Sequence, residues 1–494
     1  MLYISKYLIG VVVFIFLLIL NVPANAVDIN VAVGRAPVTL DPRFATDAAS
    51  VRVLKLIAPG IISLNQNFEP TSLYLSYFGH KKYQSFFMEL KDNVTYSDGS
   101  PVTIEALQAY YSSILNPELK SPLKGAFEGV ESINIENGKR LVIHLKEPNP
   151  FFWGVLETSV VKLTGHEATQ PIGMGLYQLD SIDSFGNVTV SRLDGFQSIH
   201  FNVIKDPVVR YLKLAKGGID IIHNDVSEEI LRYAKNEGFL VHEAPSTSYT
   251  YMGFLLENGK TADVKVRQAL SYAINRGRIV QDLLGSRAKP ALSLLSTDNP
   301  AYYAAEFEAF NPQKAGELLD DAGYTLNEQG ERFELRLAIT SNPFIQRLAQ
   351  VIQQDLANIG VKVVISSSEW GTFYGNIKKG NFESYILTWV GRFQSDIYRS
   401  LFHSDMMPPN GANRGRYNNP LMDKLLEDLM REIDDKKRYA LSKEVQKLQE
   451  QDMIYLPLWK RSHVAITSPN VTGYELLPDG GYEGLLNVHV KRPL

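Results

Sequence analysis

Between Phe333 and Val390 the chain alternates strand-like and helical stretches, and that order narrows the possible folds more than any other feature. Phe333 to Thr340 (FELRLAIT), Val361 to Ser366 (VKVVIS) and Ser384 to Val390 (SYILTWV) read as strands. Asn342-Pro343 supplies an N-cap and a first helical residue; Ile345, Leu348, Ile352, Leu356 and Ile359 then recur at helical spacing before Gly360. Strands reached through helices predict a parallel sheet covered by those helices. Ligands on such open sheets sit beyond the carboxyl ends of the strands. That rule places Trp389 to Asp396, just after the third strand, beside a cleft.

The surrounding segments fit a mixed α/β protein. Val27 to Gly34 (VDINVAVG) alternates as a strand, with Ile29, Val31 and Val33 on one face. The stretches FFMEL and LVIHL flank a helix predicted from Thr103 to Leu115 and ended by Asn116-Pro117. Lys265 to Leu284 has helical spacing throughout, and Pro312 to Ala322 is a short helix capped by Asn311 and stopped by Gly323. Two further helices are predicted at Pro420 to Ile433 and Asp434 to Gln451. The strand-like Tyr455 to Trp459 is read as bringing the chain back to its first lobe.

Residues 1–26 are expected to lie outside the fold. Lys6 precedes an apolar run from Tyr7 to Leu20, and the segment closes on Pro23-Ala24-Asn25-Ala26. A run of about 14 residues is too short for a spanning helix, which needs about 20, so this is a cleavable export signal with Val27 as the new amino terminus. Cysteine is absent, which removes disulfides and any lipid-carrying residue and points to a free periplasmic protein. A chain of 494 residues exceeds what one core usually serves. With 50 basic against 54 acidic residues, there is no basic surplus of the kind nucleic-acid binding shows.

Several segments in order resemble one family. These are Thr39-Leu40-Asp41-Pro42, Phe87 to Thr103 (FMELKDNVTYSDGSPVT), Ile172 to Tyr177 (IGMGLY), Asp263 to Arg276 (DVKVRQALSYAINR), Phe310 to Tyr324 (FNPQKAGELLDDAGY), Leu356 to Val363 and Asn413 to Leu425. Together they resemble the family 5 extracellular solute-binding proteins, the dipeptide, oligopeptide and nickel-chelate receptors of ABC importers. The resemblance implies an α/β, two-lobe periplasmic-binding-protein fold of type II with an extra subdomain in the first lobe. Mapped here, lobe I is residues 27–248 plus 460–494, with the subdomain near 62–165, and lobe II is 249–459. It implies a monomer without cofactor that closes on a peptide or peptide-like solute and presents it to an inner-membrane ABC permease. A metal chelate as ligand, or a periplasmic sensor or chaperone-like role, is the alternative.

The expected ligand residues are Arg392, Trp389, Asp396, Tyr249, Tyr251 and Phe254. In peptide-binding relatives an aspartate follows the glycine after the tryptophan. Here Arg392 stands there, and its planar fork suits a carboxylate, either on the ligand or within the protein. Asp396 then takes the ligand's amine or neutralises Arg392. Tyr249, Tyr251 and Phe254 lie where the chain crosses between lobes, and they either stack on a ligand or fill a strand's buried face. Trp370 carries the same ambiguity. Ser97-Asp98-Gly99 reads as a turn, and Arg267 as a structural arginine that pairs with a carboxylate or caps carbonyls. The nine histidines show no metal spacing, and no nucleophile elbow or phosphate loop is present. Together these argue for reversible binding over catalysis.

Overall fold

A computed structural model of the chain describes residues 27–492 except 66, 166–169, 225, 246, 306–309 and 392. The export signal predicted over residues 1–26 and the candidate Arg392 therefore lie outside the described residues.

A seven-stranded sheet builds the first lobe, in the order Leu240–Ala244, His463–Thr467, Ile221–His223, Val27–Val33, Gln197–Val203, Val188–Arg192 and Tyr177–Ile182. Val27–Val33 is parallel to both its neighbours, and the other pairings are antiparallel. A four-stranded antiparallel sheet (Leu75–Lys81, Ser85–Leu90, Arg140–Leu145, Val130–Glu136) shares its core, since Phe86, Met88 and Ile143 cluster with Ile29, Val31 and Ile199. The helix Ile104–Leu115 packs on that smaller sheet, and the Thr103 hydroxyl accepts the Ala106 N–H as its cap.

The second lobe holds a six-stranded sheet, ordered Ala288–Pro290, Tyr455–Arg461, Tyr249–Phe254, Ser384–Trp389, Phe333–Thr340 and Val361–Ser368. Its last three strands are parallel, as the alternation of strands and helices requires. The helix Pro343–Ala357 joins the first pair, and Asn342 caps it as expected. A second crossover helix, Trp370–Lys379, was not legible in the sequence; Gly371 and Gly375 weaken its signal and only Phe373 and Ile377 are buried. The first crossover moves outward to the sheet edge and the second moves back past it. Right-handed connections in opposite directions put their helices on opposite faces. Leu348, Ile352 and Leu356 accordingly pack with Leu335, Leu337 and Ile339 on one side, while Phe373 and Ile377 pack with Tyr249, Tyr251 and Tyr385 on the other.

Two local expectations change. The helix expected over Lys265 to Leu284 is broken: Val264–Ala273 ends at Ile274 (ψ 115°), and the Asn275 side chain caps a new turn by accepting the Arg278 N–H. Asp355, reaching from the neighbouring helix, accepts the Asn275 backbone N–H and holds the break. The strand beginning at Tyr455 is not the return to the first lobe. It pairs with Tyr249–Phe254, and the chain joins the first sheet only at His463–Thr467. Among the described residues, no helix is long and apolar enough to cross a membrane.

Candidate functional site

The parallel strands of the second sheet end in Thr340, Ser368 and Trp389, and the aromatic side chains that follow gather beyond those ends. Trp370 and Tyr374, one helical turn apart, stack at 5.2 Å and 7°. The Arg414 guanidinium lies 4.5 Å from the Trp389 ring and 5.4 Å from the Tyr374 ring. It donates to Tyr374 Oη at 3.1 Å and to Tyr251 Oη at 3.3 Å. From the first lobe, Arg35 sits just past the carboxyl end of Val27–Val33, and its guanidinium lies 4.9 Å from the centre of the Trp370 ring. A column of Arg35, Trp370, Tyr374, Arg414 and Trp389 thus runs from one lobe into the other. Trp370, Tyr374 and Trp389 are each half-buried, so part of each ring remains accessible. Arg414 itself is only 8% exposed, and among the described residues no carboxylate pairs with it.

Strand parity separates the three aromatic candidates at the crossing. Tyr249 and Tyr251 share one face of their strand, opposite Trp389 and Leu387, whereas Phe254 points to the other face and joins Met252 in the core beneath Pro343–Ala357. Tyr251 stacks on Tyr455 at 4.0 Å and meets Tyr385 edge-on at 5.9 Å. Gly253 makes room for this arrangement, because a Cβ there would lie 2.3 Å from Cζ of Tyr385. Burial pushes the Tyr385 and Tyr455 hydroxyls well above their ordinary range, so both stay protonated. The Tyr251 hydroxyl acts on both of these hydroxyls and Trp389 on that of Tyr455, although none of these contacts reaches good hydrogen-bonding geometry.

Asp396 heads the short helix Ile397–Phe402. Burial of its carboxyl is the leading cause that pushes its pKa up to about 6; backbone N–H groups oppose the rise and Glu157 adds to it. Glu157 belongs to the first lobe, where it accepts the Leu64 N–H, so two carboxyls from different lobes influence each other here. Trp389 and Asp396 thus lie along one segment at the mouth, with Tyr249 and Tyr251 buried behind them and Phe254 on the far side of the sheet. Arg414, Tyr374, Tyr385, Tyr455 and Arg35 were not singled out from the sequence. The nearest signal was the Asn413 to Leu425 segment, quoted for its order in the chain and not for its arginine.

Other motifs do structural work. Asp98 accepts the Ser100 N–H and pairs with Lys162 at 2.8 Å; the Lys162 bond, with those from Ser100, holds the Asp98 carboxyl down at about 2. Arg267 spends its donors on backbone carbonyls, those of Thr261 and Ala262 at 2.8 Å and of Met453 at 3.1 Å, with Asp452 beside them. Gly173 and Gly175 let their turn lie against the end of the helix Ala48–Ile57, where a Cβ would come 2.2 Å from Ile57 O and 2.1 Å from Leu56 O. No group of three or more metal-ligating side chains occurs among the described residues.

Two lobes, mixed sheets whose parallel strands end towards each other and an aromatic mouth between them define a binding protein. Residues 81–405 match the family described as "Bacterial extracellular solute-binding proteins, family 5 Middle". The chain belongs to the bacterial extracellular solute-binding proteins of family 5. It is 26% identical over 485 residues to the glutathione-binding protein GsiB of Salmonella typhimurium (strain LT2), covering 92% of this chain and 93% of that one. Its structure is similar to NikZ from Campylobacter jejuni in complex with Ni(L-His), with a TM-score of 0.84 at 22% identity over 94% of this chain and 99% of that one. It is equally similar to the oligopeptide-binding protein AppA of Bacillus subtilis in complex with a nonapeptide: TM-score 0.84, 20% identity, 95% and 100% covered. Membership in this family makes the chain a solute-binding component of an importer, not an enzyme.

Proposed function

We propose that this chain captures a peptide or peptide-like solute between its lobes and delivers it to the inner-membrane permease of an ABC importer. The observation that carries the reading is the half-buried shelf of Trp370, Tyr374 and Trp389, with the carboxyl of Asp396 farther along the same mouth. Partly exposed aromatic rings accept side chains of varied shape, and a carboxylate in a low-dielectric recess pairs with a ligand's amino group. GsiB, named for glutathione, and AppA, solved with a nonapeptide, support the peptide class. Arg392 enters the proposal on its sequence position alone, as a second cation at the mouth.

The lobes we assign are residues 27–248 with 460–494, and 249–459, with the subdomain near 62–165. The change of sheet between Ala244 and Tyr249 supports the first limit, whereas Lys460 and Arg461 still pair with Lys289 and Ala288 in the second sheet and move the return to the first lobe to Ser462. Residues 1–26 are assigned as a cleaved export signal, and the mature chain as an unlipidated periplasmic monomer. Native mass spectrometry of the mature protein purified from its periplasm, followed by denaturation, tests the ligand class. Released peptides or peptide conjugates are expected. A released metal chelate would keep the fold and overturn the peptide reading.

A further inference from the structure

Phe151 belongs to the first lobe by chain position and to the second by packing. The residues after it, Phe152 and Trp153, lie in the first lobe's core with Phe86 and Leu156. Phe151 itself is 5% exposed and clusters with Tyr249, Leu401, Leu429 and Val445 of the second lobe. The Arg438 guanidinium lies 5.5 Å from the centre of its ring. One aromatic side chain thus crosses the interface and seats in the opposite lobe.

Both halves of this contact are held from their own side. The knob ends the run Glu147-Pro148-Asn149-Pro150, in which two prolines fix their φ angles and restrict the residues before them. Asn149 ties the run down: its backbone N–H donates to Tyr83 O at 2.8 Å, and its side-chain oxygen accepts the Phe151 N–H at 3.0 Å. In the seat, Arg438 donates to Glu432 O at 3.0 Å and pairs with Asp435, both in the second lobe. Around the knob, Glu147 pairs with Arg431, and Pro148 lines a cavity of about 540 Å³ with Arg431, Ile433 and Leu441.

The seat is joined to the mouth. Arg438, Ser442 and Gln446 recur every four residues along one face of the helix Asp435–Gln451. The Ser442 hydroxyl bonds that of Ser395 at 2.7 Å, and Gln446 accepts from the Ser293 hydroxyl and donates to Ala301 O, each at 2.7 Å. Ser395 precedes Asp396, so the helix that takes the knob also fixes the segment carrying the mouth's carboxyl.

We propose that Phe151 is a positioning residue for capture, whose ring, seated against Arg438, holds the lobes closed from outside the ligand shelf. The ring carries more of this closure than the neighbouring Arg431–Glu147 pair, whose partners are half exposed and screened by water. The assignment rests on the reading that the chain captures a solute between its lobes, and not on that solute being a peptide.

The chain has no cysteine, so Asp92→Cys in the first lobe and Glu328→Cys in the second can carry a dye pair on the full mature protein. Single-molecule energy transfer then reads the closed-to-open ratio after bound solute has been removed by unfolding and refolding. The wild type is expected to show a closed population. Phe151→Ala should lower the ratio by about tenfold or more, the usual worth of a buried ring, with melting nearly unchanged. Glu147→Gln should lower it by about twofold, and only at low salt. If Phe151→Ala does not fold, Phe151→Leu decides: a drop of about threefold is expected, and an unchanged ratio overturns the assignment. Equal ratios in wild type and Phe151→Ala, or a wild type that never closes without solute, would also overturn it. So would a ratio that falls only with a large loss of melting temperature, which would make Phe151 an ordinary core residue. Adding a mixture of tripeptides should raise the closed fraction in wild type and variant alike. No response to the tripeptides would bring down the peptide reading and leave the role of Phe151 standing.

Discussion

The helix Val264–Ala273 and the loop that follows Asn413 each bury an arginine in the second lobe, Arg267 at 4% exposure and Arg414 at 8%. Arg267 faces the backbone, where carbonyls at the start of its own helix and at the end of Asp435–Gln451 meet its donors. Arg414 faces side chains: two rings, two tyrosine oxygens, and the nearby hydroxyls of Tyr385 and Tyr455. Residue type and burial are nearly the same, so neither decides the role. What separates them is whether the protein completes the guanidinium's bonding itself. A completed arginine ties segments together, and an uncompleted one at a cleft is available to a ligand.

Substitutions can break that comparison. The largest effect is expected at Arg267, where Arg267→Ala strips several buried carbonyls of their donor and should cost about 2–4 kcal/mol of stability in chemical denaturation. Peptide preference, measured on the folded fraction, should not move. Trp389→Ala comes next, losing ring area and the cover over Arg414; affinity should fall by about 2 kcal/mol, roughly thirtyfold by titration calorimetry, with little change in melting. Replacing Tyr455 by Phe is the finest probe. Removing a buried hydroxyl whose contacts with Tyr251 and Trp389 are poorly aligned should leave stability within about 0.5 kcal/mol, yet weaken acid-terminated ligands by about 1 kcal/mol. Loss of stability without loss of affinity would place Tyr455 with Arg267 rather than with Arg414.

Asp396 adds a pH dependence with a definite sign. Its folded pKa, pushed up to about 6 by burial and by Glu157, lies above the ordinary carboxylate value of about 4. Between those values the unliganded folded chain holds more protons than the unfolded chain, so its stability declines as pH rises from about 4 to about 6. A ligand amine favours the ionised carboxylate, so ligand affinity should fall as pH drops below about 6. Asp396→Asn should flatten both curves, one followed by thermal melting and the other by calorimetry. A ligand affinity that does not vary between pH 5 and 7.5 would remove Asp396 from the amine's contacts.

The apolar half of the second sheet was legible because it is built by short-range rules. Asn342-Pro343 announced its helix, and the stripe through Leu348, Ile352 and Leu356 fixed which face is buried. The resemblance of the quoted segments supplied the two lobes. The mouth was legible only in part, since Trp389 and Asp396 follow from the rule about strand ends, whereas Arg414 belongs to a distant loop. Its neighbours Tyr251, Tyr374, Tyr385 and Tyr455 come from three strands and a helix whose order in the sheet differs from their order in the chain. Phe254 shows the complementary error: sequence proximity to Tyr251 suggested a shared site, but an odd number of residues between two strand positions would unite their faces, and the interval here does not. The division at Ile274-Asn275 also depends on a distant partner, the Asp355 carboxylate.

A crystal structure of the mature chain with the ligand it co-purifies tests the central claim most directly. The account predicts a peptide-like solute lying along Trp370, Tyr374 and Trp389, with its carboxylate within hydrogen-bonding distance of the Arg414 guanidinium. A ligand bound elsewhere, or one that leaves Arg414 bonded to the tyrosines alone, would contradict it.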